Sequence, residues 1–290
     1  MTKRNPDYDF RWCPGCGDFG VVRALEIALA DRAERLGEPI ENTVVVAGIG
    51  CSGNLVHLQE GPQPFGIHGI HGRTLPIAFG VKAGRPELNV VVVAGDGDFL
   101  SIGAEHIGPQ ARRNLDITVV IMDNGIYGLT KGQASPTSVF GQVTTTTPAG
   151  KLEEPLNPLE LYLANGVAHV TSAISSRPKD VAGFITAAME YRGFSIVHIK
   201  SPCTYFNDTY AALKGDPKQG IEPVAYPLPD DHDVTDYLAA LEHARNGRVP
   251  VGELYRRPNG VPMQDRLQEA NDRSTVKERS VDEMLEALVV

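Results

Sequence analysis

The sequence predicts an α/β protein built on a doubly wound, mostly parallel β-sheet. Five short runs are rich in Val and Ile with few polar interruptions, as strands buried on both faces of a parallel sheet require. Segments with helical periodicity lie between these runs, and strands that alternate with helices imply right-handed crossover connections. The five predicted strands are residues 43–47, 90–94, 117–122, 167–170 and 195–199.

Four segments between these strands have the apolar spacing of amphipathic helices. Residues 21–36 show it most clearly, because Val22, Leu25 and Leu29 recur at intervals of three and four and so share one face. The same pattern predicts helices at residues 75–83, 101–113 and 179–191.

The character of the chain changes after about Asn207. Residues 222–229 are rich in proline, residues 234–246 have the pattern of one helix, and residues 248–265 look irregular. A last short helix is predicted at residues 281–288. We therefore expect one α/β domain over residues 1–210, followed by an irregular extension over residues 211–290 that wraps around it.

Composition narrows the class of protein. The 290 residues, with 42% apolar and 22% charged side chains, are typical of a globular protein with a sizeable core. A net charge of −9 argues against nucleic acid as the main partner. No apolar run is long enough for a bilayer, and residues 1–7 lack the apolar segment of a signal peptide. We expect a cytoplasmic protein with no membrane partner.

Polar or glycine-rich segments follow four of the predicted strands, at residues 48–53, 95–98, 123–128 and 200–203. In doubly wound sheets, ligands bind beyond the carboxyl ends of the strands. Any one of these segments could be an ordinary turn. Four of them at one edge of the sheet predict a binding site.

The segment Gly95-Asp96-Gly97-Asp98 lies between a buried strand and a helix. Glycines let backbone amides approach a phosphate closely, and a helix N-terminus favours negative charge. An aspartate there would repel a bare diphosphate, so it indicates a bridging divalent cation such as Mg²⁺, which prefers oxygen ligands. Asn124, which 26 residues separate from Gly97, and the Ile126 carbonyl could complete the ligand set. A phosphate or nucleotide loop of another kind is the alternative.

A dinucleotide site is a competing interpretation of residues 48–53, which fit the pattern Gly-x-Gly-x-x-Gly after a strand. The surrounding sequence argues against it. Pro62 and Pro64 leave no regular crossover helix after the motif, and no acidic residue follows about 20 positions later to bind a ribose.

All four cysteines stand where they could hold a metal centre. Cys13 and Cys16 form a Cys-x-x-Cys pair, whereas Cys51 and Cys203 each follow a predicted strand. In a reducing compartment, such cysteines are metal ligands or reactive thiols more often than disulfides. Structural zinc sites commonly use two closely spaced pairs, whereas an iron–sulfur cluster accepts dispersed ligands. The spacing favours the cluster and leaves zinc open.

The Gly-Asp-Gly segment with its later asparagine resembles the diphosphate-binding motif of thiamine diphosphate enzymes. In a wider comparison, residues 11–207 resemble the β subunits of 2-oxoacid:ferredoxin oxidoreductases, with the motifs in the same order. The motifs that carry the resemblance are Trp12-Cys13-Pro14-Gly15-Cys16-Gly17, Gly48-Ile49-Gly50-Cys51-Ser52, His71-Gly72-Arg73-Thr74-Leu75-Pro76, Gly95-Asp96-Gly97-Asp98, Asn124-Gly125-Ile126-Tyr127-Gly128-Leu129-Thr130-Lys131-Gly132-Gln133 and Ser201-Pro202-Cys203.

The resemblance implies a thiamine diphosphate-binding fold with three cofactors: thiamine diphosphate, Mg²⁺ and one 4Fe–4S cluster. It places the cluster on Cys13, Cys16, Cys51 and Cys203. It places Mg²⁺ on Asp96, Asn124 and the Ile126 carbonyl, and the diphosphate against Gly95, Gly97 and Asp98. The remaining coenzyme contacts that it implies are Ser52, His71, Gly72, Tyr127, Gly128, Leu129 and Thr130.

Two residues receive catalytic roles by the same resemblance. Lys131 would pair with a substrate carboxylate, although a solvated loop lysine is an equal alternative. His71 would act at the coenzyme, with a hydrogen-bonded structural histidine as the alternative.

The resemblance also implies partners. The glutamate that activates the coenzyme lies on a separate α chain in this family, and no second αβ unit is evident here to supply it. The working unit would be an αβ heterodimer or a pair of them, inactive without the α chain. It would convert a 2-oxoacid and coenzyme A to acyl-CoA and carbon dioxide while reducing ferredoxin, with 2-oxoglutarate favoured over pyruvate.

Two rivals from other classes stay open. One is a non-redox thiamine diphosphate decarboxylase or carboligase that contains structural zinc. The other is an electron-transfer module without catalytic activity.

Overall fold

A single eight-stranded sheet forms the centre of the protein. The computed structural model describes residues 10–60, 62–274 and 279–288. The strands of this sheet are β1 (Thr43–Ala47), β2 (Phe65–His68), β3 (Asn89–Gly95), β4 (Ile117–Asp123), β7 (His169–Ile174), β8 (Phe194–Lys200), β9 (Ala225–Pro227) and β10 (Val249–Arg256), and a separate hairpin pairs β5 (Ile126–Tyr127) with β6 (Gln133–Ala134).

The order of the strands in the sheet is β2-β1-β3-β4-β8-β7-β10-β9. The first six strands in this order are parallel, β10 runs antiparallel to β7, and β9 runs parallel to β10.

Helices cover both faces of the sheet. The α-helices are α1 (Asp18–Leu36), α2 (Leu55–Leu58), α3 (Thr74–Gly84), α4 (Ile107–Arg113), α5 (Pro158–Ala164), α6 (Pro178–Glu190), α7 (Tyr210–Lys214), α8 (Tyr237–Arg245), α9 (Met263–Asp272) and α10 (Val281–Glu286). Two buried apolar clusters result, one beneath α1 and α6 and the other beneath α3, α4, α5 and α8. Val44 and Val46 belong to one cluster and Val45 to the other, which is why the strand is apolar from Val44 to Ala47. The prediction of a doubly wound, mostly parallel sheet is confirmed.

The predicted central strands are present with small shifts of their ends. Residues 43–47 form β1 with the predicted limits, whereas β7 begins two residues later and ends four residues later than predicted. Residues 101–113, predicted as one helix, instead form the end of a π-helical turn (Asp98–Ile102), a 3₁₀ turn (Ala104–His106) and then α4. Gly103 lies at the break, where the next turn changes its hydrogen-bond spacing.

The prediction that residues 248–265 are irregular is wrong. They contain β10, which lies inside the sheet between β7 and β9, and the start of α9. Pro250 in β10 lacks the N–H donor that a ladder needs. The pairing with β7 begins only at Gly252, so Pro250 lies beyond that ladder. The domain boundary at residue 210 stays a prediction.

Several short elements were also missed, namely β2, α2, the β5–β6 hairpin, α5, α7 and β9. The first, β2, is an edge strand with mostly exposed side chains, so it lacks an apolar pattern. Among the described residues, no helix combines the length and apolar character that crossing a bilayer requires. The expectation about a signal peptide concerns residues 1–7, which lie outside the described part of the chain.

The strand order brings the predicted site segments together. Strands β1, β3, β4 and β8 are consecutive neighbours in the sheet and run in the same direction. Their carboxyl ends therefore lie side by side, and these ends lead into the segments that contain Cys51, Asp96, Asn124 and Cys203. The sheet thus positions the four segments of the predicted site next to one another.

Candidate active site

Two adjoining cavities open at this edge of the sheet. The first, which we call the coenzyme cavity, has a volume of about 440 Å³. Its lining residues come from the end of β3, from the loops that follow β1, β3 and β4, from the β5–β6 hairpin, and from the loops that follow β2 and β6. They are Ile49, Gly50, Cys51, Ser52, His71, Gly95, Asp96, Gly97, Asp98, Asn124, Ile126, Tyr127, Gly128, Leu129, Thr130, Gln133, Ala134 and Thr146.

Asp96 and Asn124 face each other in this cavity. The Asn124 backbone N–H donates to Asp96 Oδ1 at 3.3 Å, and Asn124 Oδ1 accepts the Ile126 N–H at 3.0 Å. Asp96 is 1% exposed, and burial together with the negative charge of Asp123 raises its pKa to about 7. A divalent cation would offset both effects, so the donor set of two side-chain oxygens and a nearby carbonyl fits Mg²⁺.

Asp98 braces the loops around the cavity. Its Oδ1 accepts the backbone N–H groups of Gly72 at 2.8 Å and Ile49 at 3.1 Å, and His71 Nδ1 lies 2.8 Å away. Burial raises the pKa of Asp98, although these neighbours oppose that effect. The Asp98 carboxylate thus ties the loop after β1 to the loop before α3.

Gly97 is a point of close approach between the loop after β3 and the β5–β6 hairpin. The Tyr127 hydroxyl donates to the Gly97 carbonyl at 3.0 Å. A Cβ at position 97 would lie 2.3 Å from Tyr127 Cε1, so a side chain there would collide with the ring. The requirement for glycine in this motif is therefore steric.

The second cavity, which we call the cysteine cavity, has a volume of about 410 Å³ and is lined by all four cysteines. Hydrogen bonds hold its walls together, because Trp12 Nε1 donates to the Cys51 carbonyl at 2.8 Å and the Gly17 N–H donates to the Pro202 carbonyl at 3.0 Å. All four thiols are free. Burial raises the pKa of Cys51 to about 12 and raises that of Cys16 further, so the thiolate forms need a compensating positive charge.

The four thiols lie in the lining of one cavity. Among the described residues, no group of three or more His, Cys, Asp or Glu side chains is placed to hold a single metal ion. Four thiols on one cavity wall are a donor set that suits an iron–sulfur cluster or zinc.

The two cavities share a wall. Cys51, Asn124, Gly128 and Leu129 line both of them. At the middle of this wall, a Cβ at Gly128 would lie 3.6 Å from Cys51 Sγ and 3.7 Å from Cys203 Sγ. A group in one cavity is thus separated from a group in the other by a single layer of residues.

Comparisons with known proteins agree with this geometry. A family model described as "Thiamine pyrophosphate enzyme, C-terminal TPP binding domain" matches residues 48–199. The 2-oxoacid:ferredoxin oxidoreductase 1, subunit beta, of Aeropyrum pernix is 37% identical over 271 residues, which cover 90% of this chain and 82% of that one. The chain belongs to the family of 2-oxoacid:ferredoxin oxidoreductase β subunits. The family predicted from the motifs is confirmed.

Two further relatives of this β subunit are informative. The 2-oxoglutarate oxidoreductase subunit KorB of Mycobacterium tuberculosis is 38% identical over 259 residues, which cover 86% of this chain and 67% of that one. A solved 2-oxoglutarate:ferredoxin oxidoreductase from Magnetococcus marinus, with 2-oxoglutarate, coenzyme A and succinyl-CoA bound, is 37% identical. It has a TM-score of 0.84 and covers 98% of this chain and 94% of its own.

In this β subunit, all but one of the predicted site residues line the two cavities. Gly72 lines neither of them, and its N–H donates to Asp98. Lys131 lines the cysteine cavity and not the coenzyme cavity, and it has a φ of 85° in the tight turn before Gly132. The roles assigned to the site residues stay predictions.

Sequence reasoning missed a polar network beneath the coenzyme cavity. Asp123 is buried and accepts the Gly125 N–H at 3.0 Å, while His198 Nε2 lies 2.9 Å from its Oδ2 and Lys200 forms an ion pair with it. Burial would raise the pKa of Asp123, but Lys200 and His198 outweigh burial and hold it below its usual range. The position of Asp123 beside Asn124 at a strand end was the one signal in the sequence.

Proposed function

We propose that this β subunit binds thiamine diphosphate with Mg²⁺ in the coenzyme cavity and one 4Fe–4S cluster in the cysteine cavity. The observation that carries the proposal is the wall that the two cavities share at Cys51 and Gly128. It would keep the coenzyme and the cluster within a short distance of each other, as transfer of electrons between them requires.

In the coenzyme cavity, Asp96, Asn124 and the Ile126 carbonyl would hold Mg²⁺. The backbone of Gly95 and Gly97 would approach the diphosphate, and Asp98 would contribute through its main chain, since its carboxylate already binds Gly72 and Ile49. His71 is held beside Asp98 and would contact the coenzyme from the opposite wall. Ser52, Tyr127, Leu129 and Thr130 would complete the pocket.

When bound, thiamine diphosphate supplies the electron sink for decarboxylation of a 2-oxoacid, and the cluster accepts electrons one at a time. The cysteines would hold the cluster as thiolates, which burial alone would disfavour. Trp12 and the apolar lining would exclude water from one side of it. Lys131 would meet a substrate carboxylate only at the shared wall beside Leu129.

The reaction that we propose converts a 2-oxoacid and coenzyme A to acyl-CoA and carbon dioxide, with reduction of ferredoxin. The Magnetococcus marinus and Mycobacterium tuberculosis relatives support 2-oxoglutarate as the substrate. An α chain would supply the missing coenzyme-activating carboxylate in an αβ unit. We place this function in the cytoplasm, where reducing conditions keep free thiols available to a cluster.

The test is to purify the chain anaerobically with its α partner and to assay ferredoxin reduction that depends on 2-oxoglutarate. We expect visible absorption that bleaches on reduction and about four iron atoms per chain. Cys51→Ala should abolish ferredoxin reduction while binding of thiamine diphosphate with Mg²⁺ persists, because Cys51 is no ligand of the coenzyme in this proposal. Calorimetric titration with the coenzyme measures whether the variant still binds thiamine diphosphate with Mg²⁺.

Ser195→Ala is the matched control. Ser195 is a buried small residue on β8 whose hydroxyl makes no hydrogen bond within the described part of the chain. This variant should keep both the iron and the activity. A colourless wild-type complex with one zinc per chain would contradict the proposal and favour the decarboxylase or carboligase, and an absence of coenzyme binding would favour an electron-transfer module.

A further inference from the structure

One buried hydroxyl joins two buried carboxylates below the coenzyme cavity. Thr137 Oγ1 lies 2.7 Å from Asp96 Oδ2 and 2.9 Å from Asp123 Oδ1. All three side chains are buried. The contact links Asp96 at the end of β3 to Asp123 at the end of β4 through a residue that follows the β5–β6 hairpin.

The segment around Thr137 is anchored from several sides. The Ser138 hydroxyl donates to the Gly125 carbonyl at 2.6 Å, and the Ser135 N–H donates to Ser138 Oγ at 2.8 Å. The buried Lys151 Nζ donates to the Ser138 carbonyl at 2.9 Å. These contacts hold the Thr137 hydroxyl at its place independently of Asp96.

Proton counting indicates where the hydroxyl donates. A threonine hydroxyl carries one proton, so it can donate to one carboxylate at a time. Asp123 is already satisfied by the Gly125 N–H, His198 and Lys200. Asp96 has the Asn124 N–H at a longer 3.3 Å, with the Ser135 hydroxyl nearby. We therefore assign the hydrogen bond of the Thr137 hydroxyl to Asp96, whereas Asp123 accepts hydrogen bonds from Gly125, His198 and Lys200.

We propose that Thr137 is a positioning residue of the metal site, held in place by the hydrogen bonds of Ser135, Ser138 and Lys151, and that its hydroxyl keeps the Asp96 carboxylate in the orientation that a divalent cation requires. The proposal rests on the function proposed above, in which Asp96 is an Mg²⁺ ligand. Without the Thr137 hydroxyl the Asp96 carboxylate would lose its 2.7 Å hydrogen bond and keep the longer one from the Asn124 N–H, so a cation would have to order it further on binding. Loss of such an outer hydrogen bond typically weakens metal affinity by about 10–100-fold.

The test measures Mg²⁺ affinity in the purified complex of the full chain with its α partner, after removal of metal and coenzyme. Thiamine diphosphate binding is followed by calorimetry at increasing Mg²⁺ concentration. Thr137→Val, which keeps the shape and removes the hydroxyl, should raise the Mg²⁺ concentration needed for half-maximal binding by about 10–100-fold. Thr137→Ser should restore it, and saturating Mg²⁺ should restore most of the turnover of Thr137→Val.

Thr118→Val is the matched control. Thr118 is a buried threonine earlier in β4 whose hydroxyl donates to the Ala188 carbonyl at 3.2 Å, away from Asp96. This variant should lose some thermal stability and leave the Mg²⁺ requirement unchanged. If Thr137→Val does not fold, Thr137→Ala takes its place in the same titration.

The outcomes separate this inference from the proposed function. An unchanged Mg²⁺ requirement in the Thr137 variant, or an equal change in Thr118→Val, would overturn the positioning role. A wild-type complex that binds no thiamine diphosphate at any Mg²⁺ concentration would overturn the proposed function itself.

Discussion

His198 shows how one buried side chain makes stability depend on pH. Its Nε2–H donates to Asp123 Oδ2 at 2.9 Å, and its Nδ1 accepts the Tyr162 hydroxyl at 3.1 Å, which is the pattern of a neutral ring. Burial lowers the pKa of His198 although Asp123 opposes that effect, and Lys200 adds to it. The folded chain therefore resists protonation of a ring that the unfolded chain protonates near pH 6.5.

The lowered pKa of His198 determines how the stability of the fold changes with pH. Between the lowered pKa of His198 and about pH 6.5, the unfolded chain binds one proton more than the folded chain, so stability falls as pH falls through this range. His198→Gln should remove that contribution. We expect its stability deficit relative to wild type to shrink between pH 7.5 and 5.5 by at most about 1.4 kcal/mol, because only one pH unit lies between pH 5.5 and the unfolded pKa of about 6.5. Urea unfolding at both pH values measures it, and a deficit independent of pH would contradict the prediction.

At the scale of elements, the packing of α1 depends on a glycine. A Cβ at Gly20 would lie 2.1 Å from the Ser175 carbonyl oxygen after β7, so α1 approaches that backbone as closely as the absence of a side chain allows. The adjoining loop carries Cys13 and Cys16. This contact thus sets the distance between the N-terminal cysteines and the sheet edge.

Gly20→Ala should destabilise the fold by about 1–3 kcal/mol, because α1 and the backbone at Ser175 must move apart to accept the methyl group. Gly183→Ala in α6 is the control, since a Cβ there meets nothing within 4 Å. It should stabilise the protein by about 0.5–1 kcal/mol, as alanine favours a helix interior. Urea unfolding of the two variants measures both effects, and equal shifts would refute the packing argument.

At the scale of the whole molecule, the C-terminal region is part of the core. Leu254 on β10 is fully buried and belongs to the same apolar cluster as Val44 and Val46 of β1. Leu254→Ala should therefore lower the unfolding free energy by about 2–5 kcal/mol. Leu238→Ala on α8, where the side chain is 67% exposed, should change it by less than about 0.5 kcal/mol.

Thermal unfolding followed by circular dichroism would test this prediction. One cooperative transition that shifts as a whole in Leu254→Ala is the expected result. A separate early transition in this variant would show that β9 and β10 unfold independently of the parallel strands.

The amino-acid sequence by itself determined the parallel centre of the sheet and the edge at which the site lies. Apolar runs such as residues 43–47 and 117–122 are local signals, and the rule that ligands bind beyond strand ends then brings Cys51, Asp96, Asn124 and Cys203 to one edge. The order of the motifs within residues 11–207 was enough to identify the family. These features depend on short stretches of chain, so they can be read without knowledge of the packing.

Only the tertiary structure decided the rest. It placed β10 inside the sheet, in a segment that the sequence analysis predicts as irregular, and it placed Lys131 in the lining of the cysteine cavity. It also joined Thr137, Asp123 and His198, which are far apart in sequence and follow no periodic pattern. The physical reason is that such contacts arise where distant segments satisfy one another's buried polar groups, and no local propensity encodes that pairing.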